Sequence, residues 1–148
     1  MDFGEKNIQE LKVLQIIGSS GGGGAEKFFF NFIESIRTVC KIVLLVRADS
    51  WLAVQLDAAQ IPYNTANFGG YLDLKTRVKI SQIIEKEQPD IVQTWMSRAS
   101  RHMPKTSNVK WICRLGGYYN LKYYKGADML VGNTRDICAY LVRNGWPE

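Results

Sequence analysis

A chain of 148 residues that is 46% apolar and 22% charged has the size and composition of one soluble globular domain. Its longest apolar runs, at 42–46 and 28–30, are far shorter than the roughly 20 residues that cross a bilayer, and residues 1–10 lack the pattern of a signal peptide. A cytoplasmic location is therefore expected. The three cysteines form no Cys-x-x-Cys pair, so we expect buried free thiols rather than disulfides or a metal site.

The net charge of +5 is concentrated late in the chain. Such a balance suits an anionic partner, either a phosphate-bearing substrate or an anionic membrane surface, although a solvated basic face is an equally ordinary explanation. No nucleic-acid motif accompanies the basic residues, so nucleic acid is not an expected partner. These residues are Arg98, Arg101, Lys105, Lys110, Arg114, Lys122, Lys125, Arg135 and Arg143.

After a polar extension at 1–10, the stretch 11–30 carries the strongest functional signal. Its β-branched apolar run predicts a strand, glycines at 21–24 predict a loop, and an apolar helical pattern follows. Glycines are needed where φ is positive or where a ligand approaches bare backbone, and the amino end of the helix favours a phosphate or carboxylate. A mobile turn without a ligand is the alternative. Glu26 has a plain alternative too, as an acid that complements the helix dipole.

The rest of the chain continues the alternation of helix and strand. In the first helix, Phe28, Phe29 and Phe32 are expected in the core, and His102 is expected to be an exposed helix residue. The predicted helices are 25–39, 51–60, 72–87 and 135–144, with a short basic helix or loop at 97–102. The predicted strands are 41–46, 61–65 (weak), 90–94, 110–114 and 127–131.

About six such alternations predict an α/β fold, a doubly wound, Rossmann-like parallel sheet with helices on both faces. Ligands of such sheets bind in the crevice at the carboxyl ends of the strands. The loops expected to form a site are therefore 18–26, 47–50, 95–98, 115–120 and 132–135.

Three motifs resemble the N-terminal domain of family 4 glycosyltransferases, which have the two-domain GT-B architecture and build lipopolysaccharide and other envelope glycans. They are Gly-Gly-Gly-Ala-Glu at 22–26, Gln-Pro-Asp-Ile-Val-Gln-Thr at 88–94 and Gly-Ala-Asp-Met-Leu-Val-Gly-Asn-Thr at 126–134. The stretch 114–124 resembles a subgroup signature of lipopolysaccharide-core enzymes. The resemblance implies that 11–148 is the acceptor-side N-terminal half of a GT-B fold and that a second, donor-binding domain is absent from this chain.

The resemblance also implies an activity. Such an enzyme transfers a sugar from a nucleotide-sugar co-substrate to an anionic glycan or glycolipid acceptor, without a metal or other cofactor, in contact with the inner face of the cytoplasmic membrane. With one lobe alone, the chain is expected to be inactive, because catalysis requires donor and acceptor to be held together.

Site roles follow from the resemblance as expectations. The loop glycines Gly22, Gly23 and Gly24 would lie near the donor diphosphate, with Glu26 just behind them. Many family members carry sugar- or acceptor-binding histidines on the strand at 90–95; here Gln93 and Trp95 stand instead, so only a polar or stacking contact is expected. Arg98 and Arg114 are candidates for anionic acceptor groups, because guanidinium groups pair with phosphate and carboxylate. The other acceptor candidates are Tyr118, which with Tyr119 offers a sugar platform, and Asn133.

Two alternatives stay open. A short-chain NAD(P)-dependent dehydrogenase is suggested by the spacing of Gly18, Gly22 and Gly24 and by the pair Tyr118 and Lys122, which fits Tyr-x-x-x-Lys. Against it, Tyr118 follows two glycines rather than lying inside a long helix. A stand-alone, non-enzymatic binding module is the second alternative, because a fold does not fix a function.

Overall fold

A computed structural model of the chain describes residues 6–105 and 108–147. Six parallel strands form one sheet in the order β3-β2-β1-β4-β5-β6. The strands are β1 Lys12–Ile17, β2 Lys41–Arg47, β3 Asn64–Ala66, β4 Ile91–Trp95, β5 Lys110–Leu115 and β6 Met129–Gly132. The helices are α1 Gly24–Ile36, α2 Trp51–Ala58, α3 Leu74–Glu87, α4 Met96–Ser100 and α5 Arg135–Arg143, with a 3-10 helix at Leu121–Tyr124. The predicted doubly wound α/β fold is confirmed.

The strand order reverses between β1 and β4, and this reversal positions the site. Helices α1 and α2 pack on one face of the sheet through residues such as Phe29, Ile33 and Leu56. Helices α3, α4 and α5 cover the other face through residues such as Ile80 and Ile137. Because the loops after β1 and β4 leave toward opposite faces, a crevice opens between them at the carboxyl edge, the edge where all six strands end.

Two motif aspartates hold the amino ends of the strands together. Asp90, just before β4, accepts a hydrogen bond from the backbone N–H of Lys12 at 2.9 Å. Asp128, just before β6, accepts one from the backbone N–H of Trp111 at 2.8 Å. Each carboxylate thus satisfies the first donor of the neighbouring strand. These aspartates belong to the motifs at 88–94 and 126–134, and the contacts give both a structural role at the edge opposite the crevice.

The predicted polar extension is described from residue 6 onward, and residues 1–5 lie outside the described part, as does residue 148 at the end of the predicted domain. Asn7 begins a turn in which its side chain accepts hydrogen bonds from the backbone N–H groups of Gln9 and Glu10. Lys6 pairs with Asp90. The division at residue 10 stays a prediction.

Several sequence-based expectations about burial are wrong. Phe28 is 50% exposed, because its ring lies at the ends of β4 and β5, against Trp95 and Arg114, rather than beneath the helix. His102 is buried, in edge-on contact with the Phe68 ring and 3.3 Å from the carbonyl oxygen of Gly69. Of the thiols, Cys113 is buried but Cys138 is exposed.

Boundaries also shift where a cap decides them. The helix predicted from 72 begins at Leu74, because the Asp73 side chain caps it by accepting from the backbone N–H of Thr76 at 3.0 Å. Leu72 therefore lies outside the helix and is 94% exposed. Val78 is exposed as well, since the buried face of α3 is formed by Thr76, Ile80 and Ile83.

Candidate functional site

The glycine loop after β1 presents unsatisfied backbone donors at the crevice. Helix α1 begins at Gly24, and its N-cap Gly23 is extended and offers no side chain to the first turn. The N–H groups of that turn have no partner within the helix, and no side-chain cap supplies one. In the same loop, the Ser19 hydroxyl is buried without a hydrogen-bond partner. The loop therefore has several donors suited to an anion.

Packing requires glycine at two positions near the loop, whereas at two others the glycine only leaves the backbone bare. A Cβ on Gly18 would lie 2.7 Å from the Phe68 ring, and one on Gly22 would lie 2.8 Å from the Trp51 ring, so neighbouring side chains occupy that space. A Cβ on Gly21 or Gly24 would meet nothing within 4 Å. None of the glycines at 21–24 has a positive φ, so that part of the expectation is wrong. What remains at Gly21 and Gly24 is bare backbone facing open space.

Glu26 lies behind this loop, as expected, and is only 7% exposed. Its Oε2 atom is 3.1 Å from the place where a Gly23 Cβ would be, so the side chain folds back along the loop. Burial, and next the charge of Glu26, raise the pKa of Tyr119 in the loop after β5.

Arg114, at the end of β5, is the best-defined anion-binding candidate. Its guanidinium carbon lies 4.4 Å from the ring centroid of Phe28 and 4.4 Å from that of Trp95, and these two ring centroids are 6.0 Å apart, so the group packs against two adjoining aromatic rings. Burial lowers the pKa of Arg114. The ion pairs among residues 6–105 and 108–147 do not include it. The arrangement orients a cation without neutralising it.

Trp95 supports this arrangement from below. Only 1% of it is exposed, and its indole N–H donates to Gln15 Oε1 at 2.7 Å. The Gln15 amide in turn donates to Gln93 Oε1 at 3.0 Å, and the Phe29 ring meets the indole edge-on with centroids 5.0 Å apart. In this geometry Trp95 and Gln93 position Arg114. A direct contact of either residue with a sugar stays a prediction.

A second group of arginines lies beside the crevice, at the carboxyl ends of β2 and β4. Arg98 is exposed, and its Cγ is 3.2 Å from a Cβ position on Gly18. Burial, followed by the charges of Arg47 and Arg101, lowers the pKa of Arg98. Arg101 donates to the carbonyl oxygen of Gly69 at 2.7 Å. In the described residues, none of the three arginines has a carboxylate partner, so positive charge accumulates here.

Tyr118 and Asn133 lie farther along the edge, toward β6. The Tyr118 hydroxyl donates to Asp136, and its ring meets the Tyr140 ring edge-on at 5.3 Å, so α5 holds it. Asn133 is exposed, and its backbone N–H donates to Leu115 at 3.0 Å.

The Tyr-x-x-x-Lys spacing does not form a dehydrogenase pair. Tyr118 lies in the loop after β5, whereas Lys122 lies in the 3-10 helix and contacts the rings of Tyr71 and Tyr123. The two side chains are therefore engaged by different parts of the molecule.

Two residues of the site lie within loops that the sequence predicts to form it, at 18–26 and 47–50, but neither is singled out there as a site residue. Ser19 stands next to the glycines but is an ordinary loop residue by type. Arg47 ends the apolar run of β2, and only the sheet order places it near Arg98.

The described residues contain neither a metal-binding cluster nor a membrane-spanning helix. The described part of the chain contains no group of three or more His, Cys, Asp or Glu side chains that could hold a metal ion. Among the helices of residues 6–105 and 108–147, none is long and apolar enough to cross a bilayer. Metal independence of the reaction stays a prediction.

Known proteins of related sequence are glycosyltransferases. No protein-family model matches the chain. Over 140 residues the chain is 30% identical to the lipopolysaccharide core biosynthesis glycosyltransferase LpsD of Rhizobium meliloti, covering 92% of this chain and 40% of that protein. It is 28% identical over 127 residues to LpsE, another lipopolysaccharide core biosynthesis glycosyltransferase of the same organism, covering 84% of this chain and 37% of that protein. The chain thus spans about two fifths of the length of the curated relatives it matches.

Solved structures share the fold. A glycosyltransferase from Rickettsia africae matches with a TM-score of 0.71 at 20% identity, over 90% of this chain and 39% of that one. Anabaena HepE in complex with UDP-glucose matches with a TM-score of 0.71 at 14% identity, over 93% and 42%. A candidate UDP-N-acetylglucosamine 2-epimerase from Listeria monocytogenes matches with a TM-score of 0.67 at 15% identity, over 93% of this chain and 43% of that one. These identities establish the fold alone, which sugar-nucleotide enzymes of different reactions share.

Sequence and fold similarity together favour one of the three interpretations. The relatives by sequence are lipopolysaccharide core glycosyltransferases, and the fold is one that glycosyltransferase structures have. Neither the dehydrogenase nor the stand-alone module is favoured by these similarities.

Proposed function

We propose that this chain is the acceptor-side lobe of a glycosyltransferase of lipopolysaccharide core assembly, of the family 4, GT-B type. The whole enzyme would transfer a sugar from a UDP-linked or other nucleotide-linked donor to an anionic glycan or glycolipid. The observation that carries the proposal is the set of unpartnered donors and cations at the carboxyl edge: the uncapped start of α1, the buried Ser19 hydroxyl and the stacked Arg114.

The proposed donor contact is electrostatic. Transfer of a sugar leaves negative charge on the departing nucleoside diphosphate, and donors held in place before the reaction stabilise that charge. Backbone N–H groups at Gly24 to Glu26 and the positive end of α1 supply such donors without a side chain. Gly21 and Gly24 leave room for phosphate oxygens to approach, since no protein atom lies near a Cβ at either position.

The proposed acceptor contact uses the side chains of neighbouring strands. Arg114 offers a guanidinium that packs against the adjoining rings of Phe28 and Trp95 and has no carboxylate partner among the described residues, so its N–H groups can pair with a bidentate anion. Glu26 is a buried carboxylate near the same opening and is suited to accept hydrogen bonds from sugar hydroxyls. Arg98, Tyr118 and Asn133 line the edge on either side of these residues.

The proposal requires a second lobe. The described edge is one side of a crevice, and donor and acceptor react only when both are oriented and water is excluded. A sugar-transfer assay on the 148-residue chain alone should therefore give no product. Contact with an anionic membrane on the cytoplasmic side, and a metal-independent reaction, belong to the same proposal.

A nuclear magnetic resonance titration of the 15N-labelled chain tests the donor contact. UDP and UDP-glucose should shift the amide signals of residues 19–27, while NADH at equal ionic strength should shift them less. In the same experiment inorganic phosphate, a probe for the anionic group of the acceptor, should shift the side-chain Nε signal of Arg114, and Arg114→Met should weaken phosphate binding about tenfold, because a charge-assisted hydrogen bond contributes roughly 1.5 kcal/mol or more. The matched control is Arg37→Met, an exposed arginine at the other end of α1, which should leave binding unchanged.

Two results would contradict the proposal. Stronger shifts with NADH than with UDP would favour a nicotinamide cofactor. Shifts spread over the whole basic surface, and lost equally in both arginine variants, would show ionic attraction without a site. Thermal unfolding of both variants checks that they fold.

A further inference from the structure

A second cavity, of about 430 Å³, lies on the face covered by α3 and α4; its lining lacks residues 18–26 but includes Arg101 of the arginine group beside the crevice. The loop before α3 contributes Tyr71 to its lining, and the 3-10 helix contributes Lys122 and Tyr123. The buried Trp111 of β5 also lines it. This volume falls within the range of small-molecule sites and accommodates a sugar ring with its substituents.

The lining of this cavity is strongly cationic. Its basic residues are Arg77, Arg101, Lys105, Lys122 and Lys125. The carboxylate in the lining is Asp128, which already accepts the backbone N–H of Trp111 at 2.8 Å and lies 3.7 Å from Lys110. The ion pairs formed within the described ranges include none of the five cations. The cavity thus concentrates positive charge that protein carboxylates do not neutralise.

Arg101 adds an unsatisfied donor to the cavity lining. Its Nε atom is buried and has no hydrogen-bond partner, although its Nη2 atom donates to Gly69 at 2.7 Å. Leaving a buried N–H without an acceptor costs free energy, so such a group is expected to have a partner in the functional state. An acceptor oxygen of a bound ligand would satisfy it.

Two tyrosines contribute aromatic rings to the lining. Tyr71 is 67% exposed, and its ring centroid is 6.3 Å from that of Tyr123, to which its hydroxyl is hydrogen-bonded. Lys122 Nζ lies 5.1 Å from the Tyr123 ring centroid, and the Arg101 guanidinium carbon lies 5.1 Å from that of Tyr71. The hydrogen bond with Tyr123 and the positive charges of Lys122 and Arg101 lower the pKa of Tyr71. An apolar ring beside fixed cations suits a ligand with an apolar face and an acidic group.

We propose that this cavity binds a sugar unit that carries a phosphate or a carboxylate. The sugar ring would stack on Tyr71 and Tyr123, and the acidic group would pair with Arg101 and Lys122. A free inorganic phosphate would leave the tyrosines unused, and a neutral sugar would leave the cations unpaired. The binding follows from the cavity alone; assigning the sugar to the acceptor glycan rests on the proposed function.

Calorimetry on the purified chain tests this with glucose 6-phosphate, glucuronate, glucose and inorganic phosphate. At least one of the two acidic sugars should bind about tenfold more tightly than glucose and than inorganic phosphate, since one charge-assisted contact contributes roughly 1.5 kcal/mol. Whether the phosphate or the carboxylate form binds better identifies the acidic group. Tyr71→Ala and Lys122→Gln should each weaken binding about fivefold to tenfold, because aromatic and charged contacts are each lost. The control Lys41→Gln, an exposed lysine at the start of β2, should have no effect.

Three outcomes would overturn the inference. Equal binding of glucose and the acidic sugars would remove the role of charge, and equal loss in all three variants would remove the role of the cavity. Binding of phosphatidylglycerol vesicles without binding of either acidic sugar would make this face a membrane surface instead. Failure of UDP at the glycine loop, with acidic sugars still bound, would reject the proposed function and leave the cavity site intact.

Discussion

Alanine at Gly24 should stabilise the fold and yet damage the site. A Cβ there meets no atom within 4 Å, and the residue is the first of α1, where no positive φ is required. Replacing glycine by alanine at a compatible position stabilises a protein by about 0.4–1 kcal/mol, mainly by restricting the unfolded chain. In a domain of this size that corresponds to a rise in melting temperature of roughly 1–4 °C. UDP binding should nevertheless weaken about tenfold, because the methyl group would occupy the space proposed for a phosphate oxygen.

Two further variants isolate the cause. Gly22→Ala places a Cβ 2.8 Å from the ring of Trp51, and that ring packs against the buried cluster beneath α1 and α2, which limits its movement. Overpacking of this kind costs about 1–3 kcal/mol, so this variant should lower the melting temperature. Gly70→Ala, which also faces open space, should raise it while leaving UDP binding unchanged.

Differential scanning calorimetry and the UDP titration together measure both effects. The reasoning is refuted if Gly24→Ala binds UDP as tightly as the unmodified chain, because the bare backbone would then have no ligand to meet. It is also refuted if Gly22→Ala is as stable as Gly24→Ala, since the packing of Trp51 would not explain the glycine.

The remaining predictions concern stability and reactivity. Gln15→Ala should cost about 3 kcal/mol, measured by urea unfolding, because it leaves the buried indole N–H of Trp95 unpaired and opens a cavity. Asp73 accepts hydrogen bonds from the Thr76 hydroxyl and from the backbone N–H groups of Gly69 and Thr76, and together these outweigh burial and lower its pKa to about 2. Since the folded pKa is depressed, its contribution is present above about pH 4 and lost as the pH falls toward 2; Asp73→Asn should flatten this part of a melting-temperature profile. A thiol reagent should modify the exposed Cys138 at once but reach Cys113, whose pKa burial raises to about 12, only after unfolding.

Each of these has an informative failure. Gln82→Ala, on the exposed side of α3, should change stability by less than about 0.5 kcal/mol. If it lost as much stability as Gln15→Ala, the hydrogen bond between Gln15 and Trp95 would have no special role. An acid profile identical in Asp73→Asn would show that other carboxylates control acid unfolding. Rapid modification of Cys113 itself in the folded state, identified by peptide mapping, would contradict its burial; reaction of the partly exposed Cys40 would not.

The sheet was predictable from sequence because its signals are local. The apolar runs of β1 and β2 and the glycine and proline that follow α5 mark elements by composition within a few residues. The edge at which ligands collect then follows from the parallel alternation itself. The helices and strands could therefore be predicted without knowing which strands are neighbours in the sheet.

The side-chain arrangement of the site was not predictable, because it depends on strand order and on contacts distant in sequence. Phe28 has the spacing of a core residue, and only the position of α1 over the ends of β4 and β5 makes it a platform for Arg114. His102 follows a short basic segment whose sequence predicts exposure, yet it packs against Phe68, 34 residues earlier in the chain. Neither contact can be predicted from the residues that are near it in the sequence.

The distribution of charge over the two edges of the sheet gives the strongest argument that the carboxyl edge is functional. At the amino edge, lysines pair with acids: Lys12 with Glu87, and Lys110 with Asp128. Among the described residues, the arginines at the carboxyl edge have no such partner. The helices that follow the strands begin near this edge and add the positive ends of their dipoles. Unpaired arginines beside an uncapped glycine loop therefore support the proposal that an anion from outside the chain binds at this edge.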